Sequence, residues 1–559
     1  MLDSAMFETD ATLFDPDTTK IPVDNGEVFT RRWMVEFILD LVGYTSDRDL
    51  GSLVIVEPSC GAGAFLDVIV DRLIESVQDR ELDIGGLDLA IRAYDLLEEN
   101  VALSRKTIMA RLEDTGLSPE AAERLAAHWV VQADFLIDSP TVGSADLVVG
   151  NPPYVRLENV PTDRMVAYRT KCRTMRGRSD LYVGFIETGL SLLRPGGVLG
   201  FICADRWMRN QYGADLRELI TGSYCMDTVV TMHDVNAFEH TVSAYPAVVV
   251  VRNEPQGTAT VIDAGATFGE SSAQEAISWK RTSSQPSIDG DSYRGSRLSG
   301  WFEGRNLWPG GSPQTMALLT DLETRFPPLE DPETGTRVGI GVATGCDEVY
   351  ITDQPDIVEA DRLLPLLQAR DTTSGVVEWS GRHLINPWDE DGLVDLDGYP
   401  RLRSYFAENA GKLGRRHIAR KRPQTWYRTI DRVHPGLTRT PKLVIPDLKA
   451  SANPVLDDGR FYPHHNLYYV VSEGWDLEVL GGLLLSKVAN LFVGAYCVKM
   501  RGGCYRFQAQ YLRKIRVPNF RAIDPGIARS LAEAFRERDV DGATELASKA
   551  YGIDDLAWL

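Results

Sequence analysis

The sequence predicts an α/β fold with a mostly parallel sheet in its amino-terminal half and a mixed α+β domain in its carboxyl-terminal half. Two observations lead to this prediction. Between residue 26 and about residue 252, short apolar runs alternate with helical segments, which is typical of a parallel sheet with helices on both faces. Beyond residue 312, short strands such as "TPKLVIPDL" and "NLYYVV" are mixed with helices instead.

The strands of the first domain are predicted from runs of β-branched and apolar residues. In chain order these runs are SLVIVE (52–57), IRAYD (91–95), HWVVQAD (128–134), ADLVVG (145–150), GGVLGFICA (196–204), MDTVVTM (226–232) and YPAVVVVR (245–252). Ligands of such sheets bind beyond the carboxyl ends of the parallel strands. We therefore expect the functional residues directly after these runs.

Changes in composition predict the domain boundaries. Residues 1–25 are polar without clear periodicity, which indicates an amino-terminal tail, and residues 26–254 form the first domain. Residues 255–312 are rich in Ser, Gly and Pro and are predicted to be a connector. The second domain then occupies residues 313–559.

The overall composition is that of an ordinary soluble chain. Of the 559 residues, 43% are hydrophobic and 25% are charged. No apolar run approaches the roughly 18 residues of a membrane span, and the acidic amino terminus does not resemble a signal peptide. The seven cysteines are scattered and form no CxxC pair, which suits reduced thiols. We therefore expect a cytoplasmic protein with no membrane contact.

The charge is unevenly distributed along the chain. The net charge of −21 argues against a general affinity for nucleic acids. Residues 401–442, however, contain twelve Lys or Arg against two acidic residues. This segment, with Arg420, Lys421 and Arg422 at its centre, is a candidate surface for phosphate contacts. The alternative is an ordinary solvated helix and loop, and charge alone does not choose between the two.

A glycine-rich turn follows the first predicted strand in "VIVEPSCGAGAFLDVIV" (54–70). Gly61 and Gly63 allow the backbone to approach a ligand closely, and the following helix offers free N–H groups at its start. The turn lacks the full GxGxxG pattern, and no Gly-Lys-Ser/Thr follows as in a P-loop. By itself it is a weak indication of a nucleotide-like ligand.

Acidic residues end three successive strands and strengthen that indication. Glu57 ends the first, Asp95 the second and Asp134 the third, with the aromatic Phe135 beside the last. A carboxylate at the end of the second strand typically accepts hydrogen bonds from ribose hydroxyls. The alternative is that each residue only caps a helix, but three in succession favour a nucleoside site.

The fourth strand ends in "VVGNPPYVRL" (148–157). The oxygen of the Asn151 amide and the carbonyl of Pro152 can together accept the two N–H groups of a planar amine. Tyr154 offers a ring face for stacking, and the prolines fix the geometry at little entropic cost. The pattern is typical of a clamp for the exocyclic amine of an aromatic ring.

These motifs together resemble a known family. "EPSCGAGAFL", "AYD", "ADFL" and "DLVVGNPPYV", in this order, resemble S-adenosylmethionine-dependent DNA adenine-N6 methyltransferases of the gamma type, which includes TaqI methyltransferase. Further resemblance lies at residues 26–42, 179–207 and 233–253, and the carboxyl-terminal half resembles the family's specificity domain. The resemblance spans roughly residues 26–520. It implies a Rossmann-like methyltransferase domain followed by a target-recognition domain.

The resemblance also implies a role for each candidate residue. The cofactor would be S-adenosylmethionine and the substrate double-stranded DNA, with a separate restriction endonuclease or defence-system subunit as a further partner. Asn151 and Pro152 would hold the target amine, and Tyr154 and Phe238 would sandwich the flipped adenine. Arginines occupy positions 31 and 32, where the family often has proline. The cofactor would be held by Thr30, Glu57, Gly61 and Gly63 at its methionine end, by Asp95 at its ribose, and by Asp134 and Phe135 at its adenine.

Two other functions remain open from the residues. A protein-glutamine methyltransferase also uses an NPPY motif, but it would leave the second domain unexplained. A catalytically silent DNA-binding subunit would not need the intact Asn151–Tyr154 motif. No metal is expected: His464 and His465 are adjacent but lack a second pair of ligands in the sequence.

Overall fold

The computed structural model describes residues 28–240, 245–311, 313–449, 451–497 and 505–553. The predicted amino-terminal tail lies outside these residues. The chain divides into two compact units, Met1–Asn306 and Leu307–Leu559.

The first unit is built on a ten-stranded sheet. Its strands are β1 (Ile55–Glu57), β2 (Ile91–Asp95), β3 (Val130–Gln132), β4 (Ala145–Gly150), β5 (Leu193–Ala204), β6 (Cys225–Thr231), β7 (Pro246–Arg252), β8 (Ala259–Ala264), β9 (Ser287–Asp289) and β10 (Tyr293–Leu298). Their order across the sheet is β3-β2-β1-β4-β5-β7-β6-β8-β10-β9. Among these strands, β7 and β10 run opposite to the others. The predicted α/β fold with a mostly parallel sheet is therefore confirmed.

Helices cover both faces of this sheet. They are α1 (Arg32–Val42), α2 (Ala64–Asp79), α3 (Glu98–Asp114), α4 (Pro119–Trp129), α5 (Phe135–Asp138), α6 (Thr162–Lys171), α7 (Leu181–Leu192), α8 (Arg206–Arg209), α9 (Ala214–Ser223) and α10 (Glu270–Thr282). A Cβ atom at Gly200 of β5 would overlap Val42 of α1, whereas the neighbouring Leu199 lies against Gly189 of α7. Because successive strand residues point to opposite faces, α1 and α7 lie on opposite sides of the sheet.

The predicted connector over residues 255–312 is wrong for most of its length. Strand β8 pairs in parallel with β6, β10 pairs with β8, and α10 packs against α1. Ile262 and Trp279 are buried in the same core as the rest of the sheet, and Val261 is also buried. The Ser- and Gly-rich turns between these short strands dominate the composition, and they hide the few apolar residues that the strands bury.

The second unit mixes helices with smaller sheets, which confirms the predicted α+β class. Its described strands form three small sheets, two of four strands and one of two. The strands are β11 (Arg337–Ile340), β12 (Ile351–Thr352), β13 (Leu363–Leu367), β14 (His383–Ile385), β15 (Lys442–Pro446), β16 (Leu448–Lys449), β17 (Val455–Asp457), β18 (Tyr462–Pro463), β19 (Leu467–Val471) and β20 (Tyr505–Arg506). The helices are α11 (Pro313–Arg325), α12 (Asp347–Tyr350), α13 (Pro400–Glu408), α14 (Ala410–Gly414), α15 (His417–Lys421), α16 (Leu477–Leu485), α17 (Lys487–Tyr496), α18 (Ala509–Leu512), α19 (Pro525–Glu537) and α20 (Val540–Tyr551).

The most apolar helices of the second unit are α16 and α17. Within the described ranges, no single helix is long and apolar enough to cross a membrane. Helices α16 and α17 would reach that length only together, and they are bent by 63° at the break between them. Most of their residues are buried in the core of the second unit, where α16 packs against α19.

Candidate functional site

The glycine-rich turn joins β1 to α2 through two residues in the left-handed region. Gly61 has φ 51° and Gly63 has φ 98°, a backbone conformation that favours glycine. The turn closes with a hydrogen bond from the Gly63 N–H to the Cys60 carbonyl at 2.8 Å. It therefore presents backbone rather than side chains at the carboxyl end of β1.

Asp95 is bound directly to this turn. Its Oδ2 accepts a hydrogen bond from the Gly61 N–H at 2.9 Å, so the ends of β1 and β2 are held together. Its Oδ1 accepts from the Leu97 N–H at 2.9 Å and from the Asn100 amide at 3.1 Å. The sequence analysis missed Asn100, which lies on the first turns of α3 and carries no motif of its own.

Glu57 is a buried carboxylate with unmet hydrogen-bonding capacity. The residue is only 2% exposed, and its Oε2 has no hydrogen-bond partner among the residues that the structure describes. Burial, together with the nearby carboxylates of Asp95 and Asp67, raises the pKa of Glu57 well above its ordinary value. A buried carboxylate without a donor fits a ligand that brings a positive charge or N–H groups.

Asp134 caps α5 and is held by a residue that the sequence analysis missed. Its Oδ1 accepts from the Leu136 N–H at 3.2 Å, and its Oδ2 accepts from the Tyr168 hydroxyl of α6 at 2.7 Å. Phe135 is buried beside it and stacks on Phe185, with ring centroids 5.5 Å apart and an angle of 24° between the planes. The third strand end therefore combines a carboxylate with an aromatic surface, as predicted, and α6 lies against it.

Asn151 follows β4 with its amide in a defined orientation. Its Nδ2 donates to the Val28 carbonyl at 2.8 Å and to the Thr30 hydroxyl at 3.2 Å. Its Oδ1 is buried and has no partner among the described residues. The Ser59 hydroxyl donates to the Asn151 backbone carbonyl at 3.2 Å, which joins the motif to the glycine-rich turn. The donor side of the amide is thus satisfied and the acceptor side is available.

Thr30 and Phe238 are paired although 208 positions separate them in the sequence. They form an isolated antiparallel bridge, and the Arg31 N–H donates to the Ala237 carbonyl at 3.0 Å. The Arg31 side chain adds a hydrogen bond from Nε to the Phe238 carbonyl at 2.9 Å. Arg31 has φ −64°, an angle that proline also adopts, but its N–H bond to Ala237 is one that proline could not make.

The rings of Tyr154 and Phe238 touch edge to face. Their centroids are 6.4 Å apart and their planes meet at 85°, and Tyr154 also lies 6.2 Å from the Tyr182 ring. A base between two parallel rings needs about 7 Å, twice the optimal contact distance of 3.5 Å between carbon atoms. This arrangement therefore differs from the predicted sandwich, and one ring must turn before both can stack on a base.

The structure brings the predicted small-ligand residues together within the first unit, and the predicted basic residues belong to the second unit. Thr30, Phe238 and the buried Pro152 lie with the carboxylates and glycines in the first unit, beyond the carboxyl ends of β1 to β4. Arg420, Lys421 and Arg422 lie in the second unit, at the end of α15. All three are exposed, and none forms an ion pair with a residue that the structure describes.

A second basic run, in the first unit, escaped the sequence analysis. It follows the Asn151 motif directly and includes Arg164 and the exposed Arg169, Lys171, Arg173, Arg176 and Arg178 on α6 and the turn after it. Several of these residues reach nearby carboxylates, such as Asp215, which Arg176 contacts at 3.2 Å. The signal in the sequence is the excess of Lys and Arg over this window, of the same kind as in residues 401–442.

The fold of the first unit is shared with known proteins. The strand order and the glycine-rich turn after β1 define the fold class of the S-adenosylmethionine-dependent methyltransferases. Of the solved structures, the type IIL restriction-modification enzyme MmeI in complex with DNA matches with a TM-score of 0.57 and 12% identity, over 93% of this chain and 74% of that one. A nuclease-deletion mutant of the type ISP enzyme LlaGI matches with a TM-score of 0.52 and 12% identity, over 91% and 54%. These likenesses concern the fold alone.

Sequence relatives identify the family. The family described as Eco57I restriction-modification methylase matches residues 84–238. The type II methyltransferase M.XhoI of Xanthomonas vasicola is 41% identical over 549 residues, 96% of this chain and 98% of that protein. M.PaeR7I of Pseudomonas aeruginosa is 43% identical over 533 residues, 94% of this chain and 92% of that protein. The chain belongs to the family of type II restriction-modification DNA methyltransferases.

This membership bears on the two alternative functions. The likeness to a protein-glutamine methyltransferase was expected to stop at the catalytic half, whereas the relatives match nearly the whole chain, including the second unit. The relatives named as methyltransferases also speak against a catalytically silent subunit.

Proposed function

We propose that this protein transfers a methyl group from S-adenosylmethionine to the N6 amino group of adenine in double-stranded DNA, after the base has been flipped out of the helix. The observation that carries the proposal is the Asn151 amide. Its N–H groups are engaged by the Val28 carbonyl and the Thr30 hydroxyl, while its buried oxygen lacks a donor. An N–H group of an amine can supply such a donor.

The chemistry of an amine target explains why the acceptor side is free. The exocyclic nitrogen of adenine is a poor nucleophile because its lone pair is delocalised into the ring. Acceptors placed at its two N–H groups, the Asn151 oxygen and the Pro152 carbonyl, favour the positive charge that develops on nitrogen during attack. Fixed by Thr30 and Val28, the amide is already oriented when the amine arrives, so little reorganisation remains.

The cofactor site is assigned on the same reasoning. When bound, S-adenosylmethionine supplies a methyl group on a sulfonium, which is activated for direct displacement. Glu57, buried and without a donor on Oε2, suits the cofactor's ammonium group. Asp95 suits its ribose hydroxyls, and Asp134 with Phe135 suits its adenine. The residues present therefore fit the cofactor, with the glycine-rich turn as the surface of closest approach.

Base flipping follows from the position of the amine in DNA. The N6 group of a stacked and paired adenine cannot reach Asn151, so the base must leave the helix. Stacking on Tyr154 offsets part of the cost, at about 1–3 kcal/mol per base. We propose that Phe238, now edge to face with Tyr154, turns to complete the stack.

The DNA partner and the biological setting are proposed from the relatives. The relatives are type II methyltransferases, and a structural neighbour is described in complex with DNA. We propose that the exposed basic residues Arg420, Lys421 and Arg422 contact phosphates, and that the enzyme protects sites from a separate restriction endonuclease. Sequence recognition would then be a task of the second unit.

Incubating the full chain with methyl-labelled S-adenosylmethionine and unmethylated double-stranded DNA tests the proposal. After digestion to nucleosides, chromatography with mass detection should show label in N6-methyladenine. Label in N4-methylcytosine would overturn the adenine assignment while leaving the amine clamp intact. Label in protein and not in DNA would instead support a protein-glutamine methyltransferase. Asn151→Ala serves as the control for background transfer.

A further inference from the structure

Three potential metal ligands meet in the second unit: the adjacent His464 and His465, and Asp347 from a distant part of the chain. His464 Nε2 lies 3.1 Å from Asp347 Oδ2 and 3.0 Å from His465 Nδ1. Together the three atoms fall within 4.8 Å of one another. The sequence predicts no metal here because the adjacent histidines have no further ligands nearby, whereas the fold supplies Asp347 from 117 positions away.

The backbone that carries these side chains is well fixed. The His464 N–H donates to the Leu367 carbonyl at 2.9 Å, and the His465 N–H donates to the Val342 carbonyl at 3.0 Å. On the other side of the cluster, the second carboxylate oxygen of Asp347 accepts a hydrogen bond from the Thr344 hydroxyl. The ligand atoms are therefore held by two segments that pair through Val342 and His464.

Two of the three separations between ligand atoms fit a common centre. Bonds from a transition metal to imidazole nitrogen or carboxylate oxygen are about 2.0–2.2 Å, so ligands at 90–110° to one another lie about 3.0–3.5 Å apart. Both measured separations to His464 Nε2 lie at the lower end of this range. Without an ion, His464 Nε2 carries at most one proton, yet it has two neighbours at hydrogen-bond distance, His465 Nδ1 and Asp347 Oδ2.

One of the three ligand residues is buried and the other two are exposed to solvent. His464 is 3% exposed, whereas Asp347 and His465 are exposed. An ion at their centre would have protein on one side and open coordination positions toward solvent. Two imidazoles and one carboxylate form a ligand set that suits Zn²⁺, Co²⁺, Ni²⁺ or Fe²⁺ better than Mg²⁺ or Ca²⁺.

We propose that Asp347, His464 and His465 form a binding site for a divalent transition-metal ion. The ion joins the segment that begins α12 to the one that leads into β19 and so reinforces the second unit. This role is independent of methyl transfer, because none of the three residues belongs to the proposed cofactor or amine site. If the methyltransferase assignment failed, the metal site would stand, and the reverse is also true.

The test uses the full-length chain without an affinity tag, stripped of metals with a chelator and dialysed. Co²⁺ alone is then titrated while the visible d–d absorption is followed, and bound metal is counted by elemental analysis. We expect one Co²⁺ per chain, displaced by Zn²⁺, and a higher thermal midpoint for the loaded protein.

Variants of the two exposed ligands make the test specific. Asp347→Asn and His465→Gln should each weaken Co²⁺ binding by at least about 100-fold, beyond the 10–100-fold cost of losing an outer hydrogen-bond partner. His434→Gln, an exposed histidine of the same unit, is the matched control and should bind normally. The proposal is overturned if the wild type shows no saturable signal at millimolar Co²⁺, or if the signal persists in His465→Gln. Either result would leave the cluster as a hydrogen-bonded chain.

Discussion

The Tyr168 hydroxyl donates a hydrogen bond to Oδ2 of Asp134 at 2.7 Å, which connects helix α6 to the carboxylate beyond the third strand of the sheet. The contact leaves Asp134 with both oxygens engaged, one by its own helix and one by α6. If Asp134 binds the adenine of the cofactor, Tyr168 positions it.

Tyr168→Phe should therefore weaken S-adenosylmethionine binding without abolishing it. We expect a rise in Kd of about 2- to 10-fold, from the 0.5–1.5 kcal/mol of an ordinary hydrogen bond. In kinetics, KM for the cofactor should rise while kcat at saturating cofactor stays the same. Tyr224→Phe is the control, because Tyr224 belongs to the same unit but follows helix α9 and, within the described residues, makes no hydrogen bond to Asp134. Tighter binding in Tyr168→Phe would show that the hydroxyl competes with the cofactor instead of supporting its site.

Asn151→Ala removes the proposed acceptor for the target amine. Methyl transfer should fall by roughly 100-fold or more, the cost of a lost group that acts mainly in the transition state. Cofactor affinity, measured by calorimetry, should change little.

Thr30→Val is the comparison for Asn151→Ala, because it removes the hydroxyl that Asn151 contacts and leaves the bond to the Val28 carbonyl. It should lower turnover by less than about 10-fold, consistent with one of two orienting hydrogen bonds. Near-normal turnover in Asn151→Ala would remove Asn151 from the reaction.

We expect cofactor binding to depend on pH through the raised pKa of Glu57. Burial and the carboxylates of Asp95 and Asp67 raise its pKa in the free protein, so the protonated form persists to higher pH than usual. The cofactor's ammonium group favours the ionised form. Affinity should therefore be full above the raised pKa, fall as the pH drops through it, and be accompanied by proton release in that range.

Calorimetry in two buffers with different ionisation enthalpies measures that proton release. Glu57→Gln should abolish it and flatten the pH profile of Kd. Glu75→Gln changes an exposed glutamate on helix α2, which follows the glycine-rich turn after Glu57, and should behave as the wild type. Proton release that survives in Glu57→Gln would place the titrating group elsewhere.

Tyr154 should act through its ring and not through its hydroxyl. The hydroxyl oxygen is buried and has no hydrogen-bond partner among the described residues. Tyr154→Phe should be tolerated, and Tyr154→Ala should lose about 1–3 kcal/mol of base stacking. With 2-aminopurine at the target position, fluorescence should rise on binding to the wild type and rise further in Tyr154→Ala.

The variant Phe238→Ala distinguishes a core role of Phe238 from a role in the base pocket, in the same 2-aminopurine assay. It is 4% exposed and belongs to the core of the first unit, so Phe238→Ala should lower stability by up to about 3–5 kcal/mol, as for other core truncations. A pocket residue would also change the 2-aminopurine signal per folded molecule. An unchanged signal would leave Phe238 as a core residue only.

Neutralising Arg420, Lys421 and Arg422 to Gln should weaken binding to all DNA sequences alike. The slope of log K against log salt should become shallower by about 3, close to one for each lost phosphate contact. The matched control neutralises Arg521, Arg529 and Lys549, which are exposed in the same unit. Equal affinities and slopes in the two triple variants would mean that residues 420–422 are only a solvated surface.

The sequence predicts strands β2 and β4 to the residue, because runs of strand-forming residues end sharply at Asp95 and before Asn151 with its prolines. The turn glycines are equally readable, since left-handed backbone leaves little choice of residue. Tyr168 and Asn100 were missed because their contacts are set by where α6 and α3 pack, which no local pattern encodes. The same holds for Asp347, and β8 to β10 were hidden by polar turns.

The bridge between Thr30 and Phe238 joins a proposed cofactor contact to a proposed base contact within one pair of backbone segments. Asn151 bonds to the same threonine, so the three cannot move independently. Linkage then requires reciprocity: by whatever factor a filled cofactor pocket raises the affinity for target DNA, bound DNA raises the affinity for the cofactor by the same factor. A methyltransferase built this way would hold both substrates more firmly together than either alone, and would loosen its hold on DNA once the cofactor pocket empties.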